Sequence, residues 1–167
     1  MMTLYHGSYV EVRNPDVDFG RKEVDFGHGF YLTRLRKQAS DWAVTVAGRK
    51  PRSKATLNKY RFDKEAALAA GFRYFEFKTY DLEWLAYVVD CRNGGRMQRR
   101  YDIVEGGVAN DNVIDTVEDY ENGVITAEQA LGQLKYKKVN HQICIHSQDV
   151  VDRFLRFQSS REVKRAR

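Results

Sequence analysis

Two short stretches near the N-terminus carry residue types that suit a ligand pocket. Residues 4–8 read as a short apolar strand that leads through His6 to Gly7, and glycine lets a ligand approach the backbone closely. In residues 25–33 two glycines precede an aromatic strand that contains Tyr31, and Trp42 follows eleven residues later. Aromatic faces stack on a flat cationic ring. Taken singly, each feature is better explained by core packing or a tight turn, but their order and spacing together favour a site for such a ring.

The order of motifs along the chain supports a family resemblance. The motifs are Tyr-His-Gly-Ser at 5–8, Gly-x-Gly-Phe-Tyr-Leu-Thr at 27–33, Gln-Ala-x-x-Trp-Ala at 38–43, Tyr-Asp-Ile-Val-Glu-Gly-Gly-Val-Ala-Asn-Asp at 101–111 and Gln-Ile-Cys-Ile at 142–145. The first two resemble the NAD-binding half of ADP-ribosyltransferases of the diphtheria-toxin and poly-ADP-ribose-polymerase type. The whole order is similar to a group of short bacterial proteins, long labelled a domain of unknown function and later grouped with these transferases. Members of that group look like the toxin half of toxin–antitoxin or phage-defence pairs.

The resemblance implies a role for each motif residue. His6 would hydrogen-bond the adenosine ribose, and the backbone of Gly7 would hold the nicotinamide carboxamide. Tyr31 would stack on one face of the nicotinamide, and Trp42 would cover the other face in place of the family's usual tyrosine. Two further hydroxyls would reach the cofactor, those of Ser8 and Thr33.

The third motif departs from the family pattern. Where the family has a catalytic glutamate at the head of a late strand, this chain has Gln142. A glutamine amide can hydrogen-bond a ribose 2′-hydroxyl but supplies no negative charge. We therefore expect a nearby acid to assist, with Glu105 first and Asp102 and Asp111 behind it. Two histidines flank the strand and are interpreted as facing away from Gln142, as partner or surface residues: His141 and His146.

Composition limits the class of protein. The chain has 167 residues and a net charge of +5, and its apolar runs are too short to span a membrane. It has no secretory signal pattern, so we expect a cytoplasmic protein with Cys91 and Cys144 reduced. No Cys/His cluster has metal-ligand spacing, so no metal is expected.

Positive charge is concentrated in two segments. Residues 151–167 hold six basic and two acidic side chains, and residues 49–54 form a basic loop. Such segments suit a nucleic acid or an acidic partner protein, although a solvated C-terminus explains the first equally well.

Apolar periodicity predicts an α+β domain over residues 1–158, followed by a basic tail at 159–167. The predicted strands are 3–6, 29–33, 59–62, 72–77, 101–105 and 141–146. The predicted helices are 34–48, 64–70, 81–91, 111–121, 126–136 and a last one with an apolar stripe from Val150 to Phe157. The resemblance implies an ADP-ribosyltransferase-like fold, in which two small, mostly antiparallel sheets form an NAD cleft with flanking helices.

The expected function is that of a mono-ADP-ribosyltransferase toxin that uses NAD as its substrate. Its acceptor would be a macromolecule, with RNA or DNA favoured over protein because of the basic loop and tail. A cognate antitoxin protein is an expected partner, and a membrane is not. Two alternatives stay open: an NAD glycohydrolase, and a non-catalytic pseudoenzyme that binds NAD or nucleic acid, which Gln142 favours.

Overall fold

The computed structural model describes residues 1–109, 113–135, 137 and 140–164. Within these residues the chain forms seven strands, six α-helices and one 3-10 helix. The strands are β1 Met2–Ser8, β2 Phe30–Leu32, β3 Thr56–Phe62, β4 Tyr74–Glu76, β5 Ile103–Gly106, β6 Gln142–Ile145 and β7 Leu155–Glu162. The helices are α1 Arg36–Gly48, α2 Lys64–Ala69, α3 Leu82–Arg92, the 3-10 helix Met97–Arg100, α4 Ile114–Glu121, α5 Ala127–Leu134 and α6 Gln148–Phe154.

The strands form two small sheets, which confirms the predicted α+β class. Sheet I has the order β1-β3-β7 and is antiparallel throughout. Sheet II has the order β2-β6-β5-β4, in which only β4 and β5 run parallel. One antiparallel bridge joins the sheets, where Tyr5 and Thr33 exchange backbone hydrogen bonds of 2.8 and 2.9 Å.

The two faces of sheet II pack against different halves of the core, because side chains alternate along each strand. One face, which carries Ile143, packs with the inner face of sheet I in a cluster that includes Leu4, Phe30, Tyr60, Phe62 and Ile145. The other face, which carries Cys144, packs against α3, α4 and α5 in a cluster that includes Phe26, Trp84, Tyr87, Val117 and Leu134. The local caps agree with this arrangement, since Asp81 accepts from the Trp84 N–H at the start of α3 and Thr126 forms a capping box with Gln129 at α5.

The prediction of a last helix reaching Phe157 was wrong. Helix α6 ends at Phe154, and Leu155–Glu162 is strand β7, paired with β3. Leu155 and Phe157 lie two residues apart, so they share one face of a strand as readily as they continue a helical stripe. Residues 159–162 of the predicted tail therefore belong to sheet I.

Candidate functional site

Strands β1 and β2 diverge just beyond the bridge that joins the sheets. The N–H and C=O groups of Tyr5 point towards Thr33 on β2. Because backbone groups alternate sides along a strand, the N–H and C=O groups of Gly7 point to the same side. Tyr31, the residue that would pair with Gly7, instead accepts a hydrogen bond through its carbonyl oxygen from His6 Nδ1, at 2.7 Å. Among the described residues the β1–β2 pairing consists of this one bridge. A seam therefore opens between the sheets beside His6.

His6 is held in the seam as a neutral imidazole. Burial lowers its pKa, and the ring centroid lies 4.5 Å from that of Phe30. Because Nδ1 donates to the Tyr31 carbonyl, Nε2 is the acceptor nitrogen. The position predicted to bind a ribose hydroxyl thus offers a hydrogen-bond acceptor.

Gly7 also has a packing reason to be glycine. A Cβ at this position would lie 2.1 Å from the Ala39 oxygen and 2.7 Å from the Ala43 nitrogen. The missing side chain lets α1 lie directly on β1, with the small buried residues Ala39 and Ala43 at the contact. Next to it, Ser8 is buried and its Oγ accepts from the Val10 N–H at 3.4 Å.

The two predicted stacking residues lie on different elements. The Tyr31 hydroxyl donates to the Gly27 carbonyl at 2.5 Å and accepts from the Phe26 N–H at 3.1 Å, and burial raises its pKa. Trp42 lies on α1 with 46% of its surface exposed, and the Arg49 guanidinium sits 5.5 Å from its ring centroid. The described aromatic contacts do not bring Tyr31 and Trp42 together. Trp42 is thus outside the core and open to a ligand.

Gln142 begins β6 and is buried. Its Nε2 donates to Asp25 Oδ2 at 3.2 Å and to the Gly107 carbonyl at 3.1 Å. Both partners are acceptors, so the amide NH₂ must face them and Oε1 lies on the other branch of the amide. Tyr31 pairs with Cys144, two residues after Gln142, so the Tyr31 and Gln142 side chains share one face of sheet II.

Asp25 is a site residue that the sequence analysis did not single out. Besides Gln142 it accepts from the Ala109 N–H at 2.8 Å and from Arg92 Nη1 at 3.5 Å. Burial raises its pKa, and the bonds from Ala109 and Gln142 and the charge of Arg92 act in the opposite direction. Its sequence signal was an acid placed between the apolar residues Val24 and Phe26.

The expectation that Glu105 lies beside Gln142 was wrong. In the antiparallel register Glu105 pairs with Ile143, whereas Gly106 pairs with Gln142. This one-residue offset places the Glu105 side chain on the opposite face of sheet II. Of the other two acids, Asp102 precedes β5 at the far end of the sheet and Asp111 lies outside the described residues.

Glu105 instead anchors a buried polar cluster at the edge of sheet II. It accepts from Arg34 Nη2 and His141 Nε2, both at 2.7 Å, and from the Tyr74 hydroxyl. Burial alone would raise the Glu105 pKa, but the bonds from His141 and Tyr74 and the charge of Arg34 outweigh it and hold the pKa below its usual value.

His141 is a structural bridge in this cluster, not the surface residue that the sequence suggested. Its Nδ1 accepts from the Arg34 backbone N–H at 3.1 Å, so Nε2 carries the proton donated to Glu105. The Thr33 hydroxyl lies 3.2 Å from the same Nδ1 and accepts from the Leu35 N–H. Thr33, predicted to reach the cofactor, is thus engaged in joining β2, α1 and β6.

Comparison with models of known protein families assigns the chain to one family. A model for proteins of unknown function, DUF3990, matches residues 2–157. The chain belongs to the DUF3990 family. No curated protein and no solved structure matches it.

The matched range of this DUF3990 protein contains His6 on β1, Tyr31 on β2 and Gln142 on β6. The His6 imidazole lies against Phe30, whereas the Tyr31 ring and the Gln142 carboxamide, with Asp25 behind it, lie on the opposite face of sheet II. These groups can accept hydrogen bonds from hydroxyls and pack against a flat ring. In the described part of the chain no helix is both long enough and apolar enough to cross a membrane.

Proposed function

We propose that this protein is an NAD-dependent mono-ADP-ribosyltransferase toxin of the cytoplasm that transfers ADP-ribose to a macromolecular acceptor. The observation that carries the proposal is the placement of His6, Tyr31 and Gln142 on three neighbouring strands, with β2 between β1 and β6. His6 bonds the Tyr31 carbonyl, and the side chains of Tyr31 and Gln142 share one face on neighbouring strands. These are the three positions that the resemblance to ADP-ribosyltransferases assigns to NAD.

The residues of the proposed site offer contacts to both the nicotinamide and the adenosine ends of NAD. The free N–H and C=O directions of Gly7 fit the carboxamide, which has one acceptor and two donor hydrogens. Tyr31 and the exposed Trp42 offer aromatic faces to the cationic ring. His6 Nε2 accepts from a hydroxyl of the adenosine ribose.

In the reaction, the bond between the nicotinamide nitrogen and ribose C1′ breaks and its electron pair leaves with neutral nicotinamide. The acceptor's nucleophilic atom then bonds C1′ and loses its proton. Positive charge builds on the ribose between these events, so an acceptor dipole aimed at it lowers the barrier. Gln142 Oε1 accepts from the ribose 2′-hydroxyl and supplies that dipole.

Asp25 makes up for the missing glutamate indirectly. Its carboxylate lies 3.2 Å from the Gln142 NH₂, so it polarises the amide and increases the negative charge on Oε1. It also fixes which amide atom faces the ribose. Asp25 is therefore a positioning residue, one hydrogen bond away from the substrate.

A nucleic acid is the favoured acceptor, because the two basic segments lie side by side. Thr56 pairs with Glu162, and the Val163 N–H donates to the Ala55 carbonyl at 2.7 Å, which brings the end of β7 against the loop at 49–54. In that loop the Lys50 ammonium lies 4.4 Å from the Tyr9 ring centroid. Basic side chains beside a half-buried aromatic ring suit a nucleic-acid strand, and the same charge suits an acidic antitoxin.

The test is incubation of the protein with NAD labelled in its adenylate part and separate pools of cellular RNA, DNA and protein. We expect label in RNA or DNA together with equal release of nicotinamide, and neither with Gln142→Ala. Release of nicotinamide without labelled macromolecule would identify a glycohydrolase instead. NAD binding by calorimetry without release would identify the pseudoenzyme, and absence of NAD binding would refute the proposal.

A further inference from the structure

A basic cleft of about 360 Å³ opens at the end of sheet II remote from Gln142. Strand β6 runs from Gln142 to Ile145 and His146 follows it, so the two ends lie roughly 13 Å apart along the strand. The residues of this basic cleft that carry the argument are Lys22, His28, Arg73, Arg99, Asp102 and His146.

The charge of the basic cleft is positive and partly unpaired. Asp102 is the one carboxylate among its lining residues, and it is paired with Arg73, with two nitrogen–oxygen distances of 3.1 Å. Lys22 and Arg99 are exposed, and neither forms an ion pair with any described residue. Two unpaired cations in a concave surface attract an anion.

Two of the histidines that line the cleft carry buried ring nitrogens without a hydrogen-bond partner among the described residues. His146 Nδ1 donates to the His28 carbonyl at 2.6 Å, which leaves its Nε2 as a lone-pair acceptor. His146 Nε2 and His28 Nε2 are buried and have no hydrogen-bond partner among the described residues. Buried polar atoms are nearly always paired, so two exceptions in one cleft indicate a ligand that completes them.

We propose that the basic cleft binds a phosphate group of a nucleic-acid strand, with Lys22 and Arg99 balancing its charge and His146 bonding a phosphate oxygen. For that bond His146 takes up a proton, so that Nε2 becomes a donor. A polyanion is favoured over a small phosphate because the loop at 49–54 supplies a second basic surface. The inference deepens the proposed function by locating part of the acceptor, but phosphate binding needs no NAD.

The test measures binding of a fluorescein-labelled 20-nucleotide single-stranded RNA by anisotropy without NAD. The cleft variant is Lys22→Ala/Arg99→Ala. Its matched control is Arg21→Ala/Arg100→Ala, which removes the same charge from the adjacent positions. We expect the cleft variant to weaken binding about tenfold or more and to reduce the magnitude of the slope of log affinity against log salt by about 1.4. The control should stay within about twofold of the parent.

Equal losses in the two variants, or no loss in the cleft variant, would overturn the proposal, because the binding would then come from diffuse charge or another surface. A phosphoserine peptide bound as tightly as the RNA would overturn the nucleic-acid assignment. RNA binding that depends on the cleft in a protein that never consumes NAD would uphold this inference while the proposed function fails.

Proton uptake gives a second readout. Burial lowers the His146 pKa, so the free imidazole is neutral, and a bound phosphate would favour its charged form. The charged and titratable groups facing it are Asp102, His28, Cys144, Arg73, Lys22 and Arg99. We expect RNA binding to tighten about threefold or more between pH 8 and pH 6, and His146→Asn to flatten that change. An unchanged pH dependence in folded His146→Asn would remove His146 from the site.

Discussion

Asp25 holds the side-chain amide of Gln142 across 117 residues of sequence, with Gln142 Nε2 3.2 Å from Asp25 Oδ2. The contact fixes the amide so that its oxygen lies away from the carboxylate. Strand β6 begins with a glutamine, yet the buried carboxylate of Asp25 lies beside this first residue. It contacts the Gln142 amide through one hydrogen bond.

Removing the Asp25 carboxylate should lower the turnover number more than it changes KM for NAD. We expect Asp25→Ala to lower kcat about tenfold to a hundredfold, less than the loss of a direct transition-state contact, because Gln142 keeps its place but loses its orientation. Asp25→Asn should recover part of kcat, since its Oδ1 can still accept from Gln142 and Ala109. Nicotinamide release at varied NAD provides the measurement. A raised KM with kcat unchanged would limit Asp25 to a binding role.

A carboxylate at position 142 should be tolerated only if Asp25 is neutralised. Gln142→Glu would place a second acid against Asp25, and two close carboxylates cannot both ionise freely. We expect Gln142→Glu to lower the free energy of unfolding at pH 8 by about 1–3 kcal/mol. The double variant Asp25→Asn/Gln142→Glu should regain stability and nicotinamide release. Urea unfolding at pH 8 and pH 5 tests this, and a single variant as stable as the parent at pH 8 would contradict it.

The strand positions of His6, Tyr31 and Gln142 were predictable from sequence, because β1, β2 and β6 are short and strongly patterned. The position of Glu105 was not predictable from sequence, because it depends on which residue of β5 pairs with Gln142. A register offset of one residue moves a side chain to the other face of the sheet, and neither strand sequence determines that offset. Asp25 was missed for a related reason, as its burial results from Arg92, Ala109 and Gln142 arriving from three distant parts of the chain.

Glu105 should stabilise the fold in a pH-dependent way. Its partners hold its pKa in the folded protein below the unfolded value of about 4.3, so its stabilisation is complete above that value and is lost as pH falls through the folded pKa. We expect the free energy of unfolding to fall between about pH 5 and pH 3. Glu105→Gln should be less stable at pH 7 and should show a smaller fall over that range.

Denaturant unfolding at a series of pH values provides the measurement for Glu105. Glu162→Gln is a suitable control, because Glu162 pairs with Lys54 at the exposed end of β7 and should change stability little. Parallel curves of unfolding free energy against pH for the parent and Glu105→Gln would contradict this prediction, because they would show that protonation of Glu105 does not change the stability of the fold.

Trp42 gives the sharpest separation between a ligand-binding and a structural role. With 46% of its surface exposed, its loss should lower the free energy of unfolding by about 1–3 kcal/mol, less than the loss of a fully buried tryptophan. If the indole stacks on nicotinamide, Trp42→Ala should remove roughly 1–3 kcal/mol of binding free energy, so NAD affinity measured by calorimetry falls about tenfold or more.

Phe19→Ala, at a position 80% exposed in the loop before β2, is the control and should leave NAD affinity unchanged. Arg49→Ala removes the cation above the indole ring and should leave NAD affinity equal or higher, because a cationic nicotinamide would no longer compete with it. A folded Trp42→Ala protein with the parent's affinity would place the nicotinamide away from α1 and leave Tyr31 as the single stacking residue.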